Sequence, residues 1–347
     1  MKLAKLLGVD LPIVQAPMAG VQGSRLAIAV SGAGALGSLP CAMLSAAAIA
    51  DEIHAIRAAT ERPFNLNFFC HAQPRFDAAR DARWRESLAA AHAEFGIDTA
   101  TIGAGAARNP FDAAGAEIIE SLRPPVVSFH FGLPEAELLA RVKASGAIVM
   151  ASATTVAEAR WLEARGADVV IAQGLEAGGH RGHFLSMDIT EQFGLFALLP
   201  QVVAAVKLPV VAAGGIADAA GVRAALALGA AGVQVGTAFL RTPEADTSAL
   251  HRAALASDAA RHTALTNLFT GRPARGIVNR FLREHGPMSE LAPEFPLATA
   301  ASGPLRAAAE KQGSADFSSL WSGQNPAGAR PVPAAEIVRG LAAGLEA

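Results

Sequence analysis

Short apolar runs recur at residues 12–16, 35–39, 64–69, 126–130, 148–152, 168–173, 210–213 and 232–236, with helix-patterned stretches between them. Runs of this length without polar alternation suit strands buried on both faces, and such strands belong to parallel sheets flanked by helices. Eight repeats of the unit predict that the sheet closes on itself, so the expected fold class is α/β, a (β/α)8 TIM barrel. An internal echo agrees. Residues 148–174 and 210–236 both read strand, helix, Gly-Ala, strand, with Gly166-Ala167 answered by Gly229-Ala230. Repeated βα units would leave this trace, and so would convergent patterning.

Two stretches break the rhythm. After Phe69 about 55 residues pass before the next strand, with helical patterns near 78–93 and 111–122 and an ambiguous segment at 99–105. Beyond about Leu265 the chain is rich in Gly, Pro and Ser through Arg330, and an apolar helix follows at 334–345. The expected organisation is a barrel from 1–70 and 124–262, with a C-terminal helix at 333–346 packed on it. A smaller, mostly helical cap from 71–123 and 263–332 would form the lid of the substrate pocket.

Composition narrows the partner. The 29 Lys and Arg against 31 Asp and Glu, with no basic run interleaved with aromatics, argue against nucleic acid or an anionic membrane surface. A small molecule is expected. Only Cys41 and Cys70 occur, too few for a disulfide framework, and Asp10 interrupts the apolar segment behind Lys2 and Lys5. A reducing, cytoplasmic location without a secretory signal follows. Residues 26–50 carry no charge, but Gly32, Gly34, Gly37 and Pro40 divide them, so no membrane span is expected.

Chemistry-bearing residues cluster at strand ends. Asn67 and Gln173 are amides closing the third and sixth strands, positions that suit either a structural hydrogen bond or a ligand contact at the barrel mouth. Ala213-Gly-Gly-Ile-Ala-Asp218 and Gln234-Val-Gly-Thr237 end the seventh and eighth strands. Glycines before a helix let backbone N–H groups approach an anion, and barrels commonly bind phosphate there. His180 lies between Gly179 and Arg181 in the loop after the sixth strand, and an ordinary imidazole titrates near neutrality, which suits proton transfer. His130 ends the fourth strand and is a candidate for the same mouth. Glu176 and Arg181 are expected to pair and shape the loop. His183 forms H-x-x-H with His180, but no third ligand has suitable spacing, so no metal is expected. Neither Cys41 nor Cys70 is marked as an activated thiolate. Gly32-Ala-Gly-Ala-Leu-Gly37 spells a dinucleotide fingerprint, yet a helical pattern precedes it and a strand follows, so a tight turn is expected.

Together, Gln15-Ala-Pro-Met-Ala-Gly20, Asn65-Leu-Asn-Phe-Phe69, Gln173-Gly-Leu-Glu-Ala-Gly-Gly-His-Arg-Gly182, Ala212-Ala-Gly-Gly-Ile216 and Gly232-Val-Gln-Val-Gly-Thr237 resemble the nitronate monooxygenase family, class I type. Ser128-Phe-His-Phe-Gly-Leu-Pro134 and Leu320-Trp-Ser-Gly-Gln324 look similar too. The resemblance implies an FMN-dependent barrel that oxidises alkyl nitronates, such as propionate 3-nitronate, with O2 to carbonyl compounds and nitrite, a detoxification activity. It implies Ala16, Pro17 and Met18 beside the flavin, and Asn67, Gln173 and Gly178 holding FMN. Gly215, Gln234, Val235, Gly236 and Thr237 would lie at its phosphate. His180 would orient the anionic substrate and, with neutral nitroalkanes, remove the α-proton. His130 would face the substrate pocket. A homodimer is compatible with the resemblance.

One departure concerns the pocket. Family members commonly place tyrosines near it, and this chain has no tyrosine. Phe295 or Phe317 would fill that space without a hydroxyl. Two alternatives stay open: an NAD(P)H-dependent flavin oxidoreductase of the enoyl-acyl-carrier-protein reductase type, and a flavin-binding protein without turnover.

Overall fold

The computed structural model describes residues 2–103 and 108–345. Part of the ambiguous 99–105 segment and the last residue of the expected 333–346 helix lie outside the described residues; Thr99–Thr101 form one 3-10 turn. The barrel strands are Ile13–Gln15, Gly37–Pro40, Phe64–Phe69, Val126–His130, Ile148–Ala153, Val169–Gln173, Val210–Ala213 and Gly232–Val235. Each pairs in parallel with its neighbour, and the first pairs with the eighth. The first and second strands meet through one bridge, Val14 opposite Leu36, where Gln15 N donates to Leu36 O and Leu36 N to Ile13 O, both at 2.9 Å. That bridge closes the eight-stranded barrel.

Local chemistry sets the helix starts. Ser45, Asp112, Thr155 and Asp218 each accept a hydrogen bond from a backbone N–H three residues on, satisfying donors that the first turn leaves open. Two apolar layers result. Inside the barrel, Val14, Leu36, Val126, Met150, Val169, Ile171 and Val211 pack with Leu3 and Leu7 of helix Lys2–Leu7, which plugs the end opposite the mouth. Between strands and helices runs the larger core.

The eighth unit is irregular. After Gly232–Val235 come the 3-10 turn Thr237–Phe239 and the helix Ala249–Ala256, whose Leu255 packs with Ile277 and Leu320 and not in the barrel core. The amphipathic helix Ala334–Ala342 packs against both Ser24–Gly32 and Ala219–Ala227, burying Ile337, Val338 and Leu341, and so takes the place of the eighth barrel helix.

A second core lies outside these layers. Trp84 of helix Ala78–Ser87, Ala91 of helix Ala89–Glu94 and Leu88 between them pack with Leu268, Phe269, Phe281, Leu282 and Phe317. Helix Ala113–Leu122, by contrast, packs on barrel helices Ala46–Ala59 and Ala136–Ala144 with Ala116 and Ile119 in the barrel core. This second core therefore draws on 78–91 and 268–317, not on the whole of 71–123. A three-stranded antiparallel sheet links it to the barrel: Thr263–Thr266 pairs with Ala274–Ile277, which pairs with Gly179–His180.

Residues 26–50 divide into the end of helix Ser24–Gly32, the strand Gly37–Pro40 and the start of helix Ala46–Ala59. Among the described residues no helix is long and apolar enough to cross a membrane. The glycines of 32–37 form the expected turn: Gly34 has φ +87°, and a Cβ on Gly37 would collide with the backbone of Ala27.

If Ala334–Ala342 seals the barrel wall, Leu341→Ala should cost about 2–5 kcal/mol by leaving a cavity at a site that is 1% exposed. Urea titration should show a lower midpoint with an unchanged slope. Leu6→Ala, at a half-exposed position, should shift the midpoint little.

Candidate functional site

The carboxyl ends of the barrel strands and their loops enclose one cavity. Its lining includes all the residues marked from sequence: Ala16, Pro17, Met18, Asn67, His130, Gln173, Gly178, His180, Gly215, Gln234, Val235, Gly236 and Thr237. Arg108, Ser128, Ser152, Trp321, Gly323 and Asn325 line it too, and sequence reasoning had not marked them as site residues.

Buried polar pairs fix the first wall. Gln15 Nε2 donates to Ala16 O and, at 2.7 Å, to Gln22 Oε1, which also accepts from Met18 N at 3.1 Å. Ser38 donates to Gln15 through its backbone N–H (3.0 Å) and its hydroxyl (2.6 Å). The 16–18 loop is thus held by amides with almost no contact with water, where each bond resists exchange with solvent. Asn65 donates to Ser38 Oγ (3.0 Å) and Ser128 Oγ (2.9 Å), while Asn67 donates to Ser128 O and Oγ at 3.3 and 3.0 Å. Polar residues inside apolar strands were the available signal for Gln15, Ser38 and Ser128.

The loop after the sixth strand is pinned from several sides. Arg181 is fully buried and donates to Gln192 Oε1 (2.8 Å), Gly174 O (2.6 Å) and Gln173 O (2.8 Å). The expected Glu176–Arg181 pair does not form. Both Glu176 carboxylate oxygens instead accept from Leu195 N at 2.9 Å, at the start of helix Leu195–Ala205, where the helix dipole favours an anion. Arg181 is satisfied by carbonyls because its side chain folds back on its own strand. Glu158, 1% exposed, accepts from Thr154 N and Oγ1 and from Phe184 N and Leu185 N, tying the far end of the loop to the fifth strand.

Gln173 and His130 converge on one atom. Gln173 Nε2 (3.0 Å) and His130 Nε2 (3.1 Å) both donate to the carbonyl of His180, and Gln173 Oε1 accepts from Gly182 N at 2.8 Å. His130 Nδ1 is taken by Ser152 Oγ at 3.0 Å. Both nitrogens of His130 are therefore committed to positioning the loop, and Gln173 does the same while bordering the cavity. A Cβ at Gly182 would press on the His130 ring at 2.8 Å, which explains a glycine there.

His180 itself touches Thr270 Oγ1 through Nε2 at 2.9 Å. Aromatic rings enclose it: Phe295 at 5.3 Å, Trp321 at 5.6 Å, Phe131 at 6.1 Å and Phe69 at 6.4 Å between centroids. Phe295 thus fills space beside the histidine, whereas Phe317 lies in the second core against Phe281 and Phe95. Burial, reinforced by the cations Arg108 and Arg272 and by neighbouring histidines, holds His180 well below its ordinary pKa. Burial likewise pushes His130 and His183 down to about 3, and His71 and His251 to about 4. The site presents a neutral imidazole in a positively biased, apolar setting. His183 turns into protein, with both ring nitrogens buried and unpartnered. Burial raises both cysteine thiols, so neither is a thiolate.

Opposite the histidine the backbone approaches closely. Gly214 and Gly215 have φ of +123° and +71°, and a Cβ on Gly178 would collide with Ser322 and Gly323. The 322–325 segment is fastened there by Gly323 N to Thr237 Oγ1 (2.9 Å), Gln324 N to Glu176 O (2.9 Å) and Asn325 Nδ2 to Gly215 O (3.0 Å). Gln234 borders this cradle with an Oε1 that has no donor among the described residues.

Fold and site together define a (β/α)8-barrel enzyme with its working groups on the C-terminal strand ends. The family model for nitronate monooxygenase matches residues 1–344. A nitronate monooxygenase of Pseudomonas aeruginosa is 42% identical over 346 residues, 98% of this chain and 97% of that protein. Among solved structures, nitroalkane oxidase from Streptomyces ansochromogenes superposes with a TM-score of 0.89 at 43% identity, covering 99% of this chain and 98% of that one. FabK from Thermotoga maritima superposes with a TM-score of 0.73 at 26% identity, over 98% and 94% of the two chains. The chain belongs to the nitronate monooxygenase family and is an oxidoreductase.

The depressed histidines make stability acid-sensitive. Each is neutral in the folded state but takes a proton near pH 6.5 when unfolded, so the unfolded state gains protons first as pH falls. The contribution of these histidines to stability should be flat above about pH 7 and should drop between pH 6.5 and 4, by up to about 1.4 kcal/mol per pH unit for each. Urea midpoints measured at pH 7.5 and 5 test this; equal midpoints would show that these rings are protonated in the folded protein.

Proposed function

We propose that this chain oxidises nitronates with O2 in an FMN-dependent reaction, releasing carbonyl compounds and nitrite, with propionate 3-nitronate within its range. The observation that carries the reading is the pairing, in one cavity, of a close-approach glycine cradle with an enclosed neutral histidine. The cradle fits a phosphate-bearing cofactor: Gly215 and Gly236 border the cavity without side chains, Gly178 borders it while packed on Ser322 and Gly323, and Gln234 and Asn67 offer amides beside it. FMN, when bound, would supply the electron-accepting chemistry.

The protein's own residues do the rest. Arg108 and Arg272 bias the cavity towards anions, so a nitronate is drawn in and concentrated. Phe69, Phe131, Phe295 and Trp321 keep water from the reacting carbon. His180, held through its carbonyl by His130 and Gln173, meets the substrate with a neutral ring able to accept a proton. The residues around the second core act in this reading as the cap over the pocket. A cytoplasmic homodimer belongs to the same reading.

Purified protein should show a flavin absorbance spectrum and should release nitrite from propionate 3-nitronate in air. Rapid bleaching of the flavin by NAD(P)H under anaerobic conditions would instead favour the reductase reading, which the FabK-like fold also accommodates. A bound flavin without nitrite release would favour a binding protein. His180→Asn should keep FMN yet lower kcat/KM for nitronate at least about tenfold, and by about 10²–10⁴ for any neutral nitroalkane that the enzyme deprotonates. Wild-type turnover in that variant would remove His180 from the mechanism.

A further inference from the structure

Thr270 comes from outside the barrel strands, in the turn between Thr263–Thr266 and Ala274–Ile277. It is 4% exposed, and its hydroxyl meets two groups: His180 Nε2 at 2.9 Å and the carbonyl of Arg272 at 3.4 Å. A carbonyl can only accept, whereas the hydroxyl can both donate and accept. Two arrangements are therefore possible. If His180 carries its proton on Nδ1, the hydroxyl must donate to Nε2, Arg272 O loses this donor, and the Nδ1–H has no acceptor among the described residues. If the proton is on Nε2, it is donated to Thr270 Oγ1, whose own proton goes to Arg272 O. One bond is then exchanged for two in series, and each polarises the other.

The other ring nitrogen is the one left for chemistry. His180 Nδ1 has no hydrogen-bond partner among the described residues, and it is not among the sealed unpartnered atoms, unlike both nitrogens of His183. His180 lines the cavity.

We propose that Thr270 is a positioning residue that fixes His180 as the Nε2–H tautomer, making Nδ1 the atom that takes a proton from substrate. The inference rests on the nitronate reading for its substrate class. A bare Nδ1 suits the α-C–H of a neutral nitroalkane, the protonated form of the nitronates that this reading takes as substrates. The C–H proton passes to Nδ1, its electron pair becomes the C=N bond of the nitronate, and the negative charge settles on the nitro oxygens. His180 becomes an imidazolium whose Nε2–H stays on Thr270 and whose charge faces the new anion. No oxidant takes part in that step.

The test reads the tautomer directly. In protein with its flavin bound and histidine ring nitrogens 15N-labelled, long-range 1H–15N spectra at pH 7.5 should show His180 Nε2 protonated and Nδ1 bare. His180→Asn identifies the signals. Thr270→Val should produce a tautomer mixture and lower kcat, more than KM, for nitroethane by roughly 3- to 10-fold, the range that one net hydrogen bond supports. Oxidation of ethyl nitronate should change less, and Thr270→Ser should restore both tautomer and rate. A wild-type ring protonated on Nδ1, or a tautomer that does not respond to Thr270→Val, overturns the proposal. The wild-type spectrum decides even if the valine variant does not fold. Because it does not depend on turnover, absence of nitrite would count against the nitronate reading alone.

Discussion

A buried guanidinium with no carboxylate partner organises the mouth of this barrel. Burying a cation is costly unless every donor finds an acceptor. Arg181 meets the demand with the carbonyls of Gln173 and Gly174 and the amide of Gln192, so the loop must fold back on the end of its own strand. That return places the carbonyl of His180 between Gln173 and His130, and it aligns Gly179–His180 beside Ala274–Ile277. The geometry of this loop is thus a consequence of solvating one charge. Burial, with Arg272 and Arg181 adding to it, also keeps the nearby His183 neutral.

Electrostatics and enclosure act in the same direction here. An exposed histidine would carry a fractional charge at pH 7, and its ring would exchange protons with water. His180 is instead ringed by aromatic groups and faced by cations, so its neutral form is the ground state. With no tyrosine in the chain, the rings around His180 are Phe69, Phe131, Phe295 and Trp321, and none offers a hydroxyl that could compete with the imidazole for a substrate proton.

Much of this was legible in the sequence because period and punctuation are local properties. All eight barrel strands fall where the apolar runs lie, and the glycine-rich ends of the sixth, seventh and eighth strands meet at one cavity. Contacts between distant segments were not legible. Nothing near Glu176 indicates that its carboxylate caps Leu195–Ala205 and leaves Arg181 to carbonyls. Thr270 and Arg108 reach the site from segments that carry no motif, so only three-dimensional proximity identifies them. His130 ends its strand facing the mouth, but spacing alone could not say that both its nitrogens would be committed to the protein.

The displaced eighth helix has a consequence for assembly. The barrel wall is completed by Ala334–Ala342, about a hundred residues beyond the last strand at Val235, and it packs against Ser24–Gly32 near the other end of the chain. Between strand and helix the chain must build much of the second core. The second core is therefore threaded before the wall is sealed, and a nascent barrel would expose an open groove beside Ser24–Gly32 until the intervening segment had folded. Such a topology makes the barrel and the second core interdependent in folding: damage to that core would be felt as a loose seam where Ala334–Ala342 meets Ser24–Gly32.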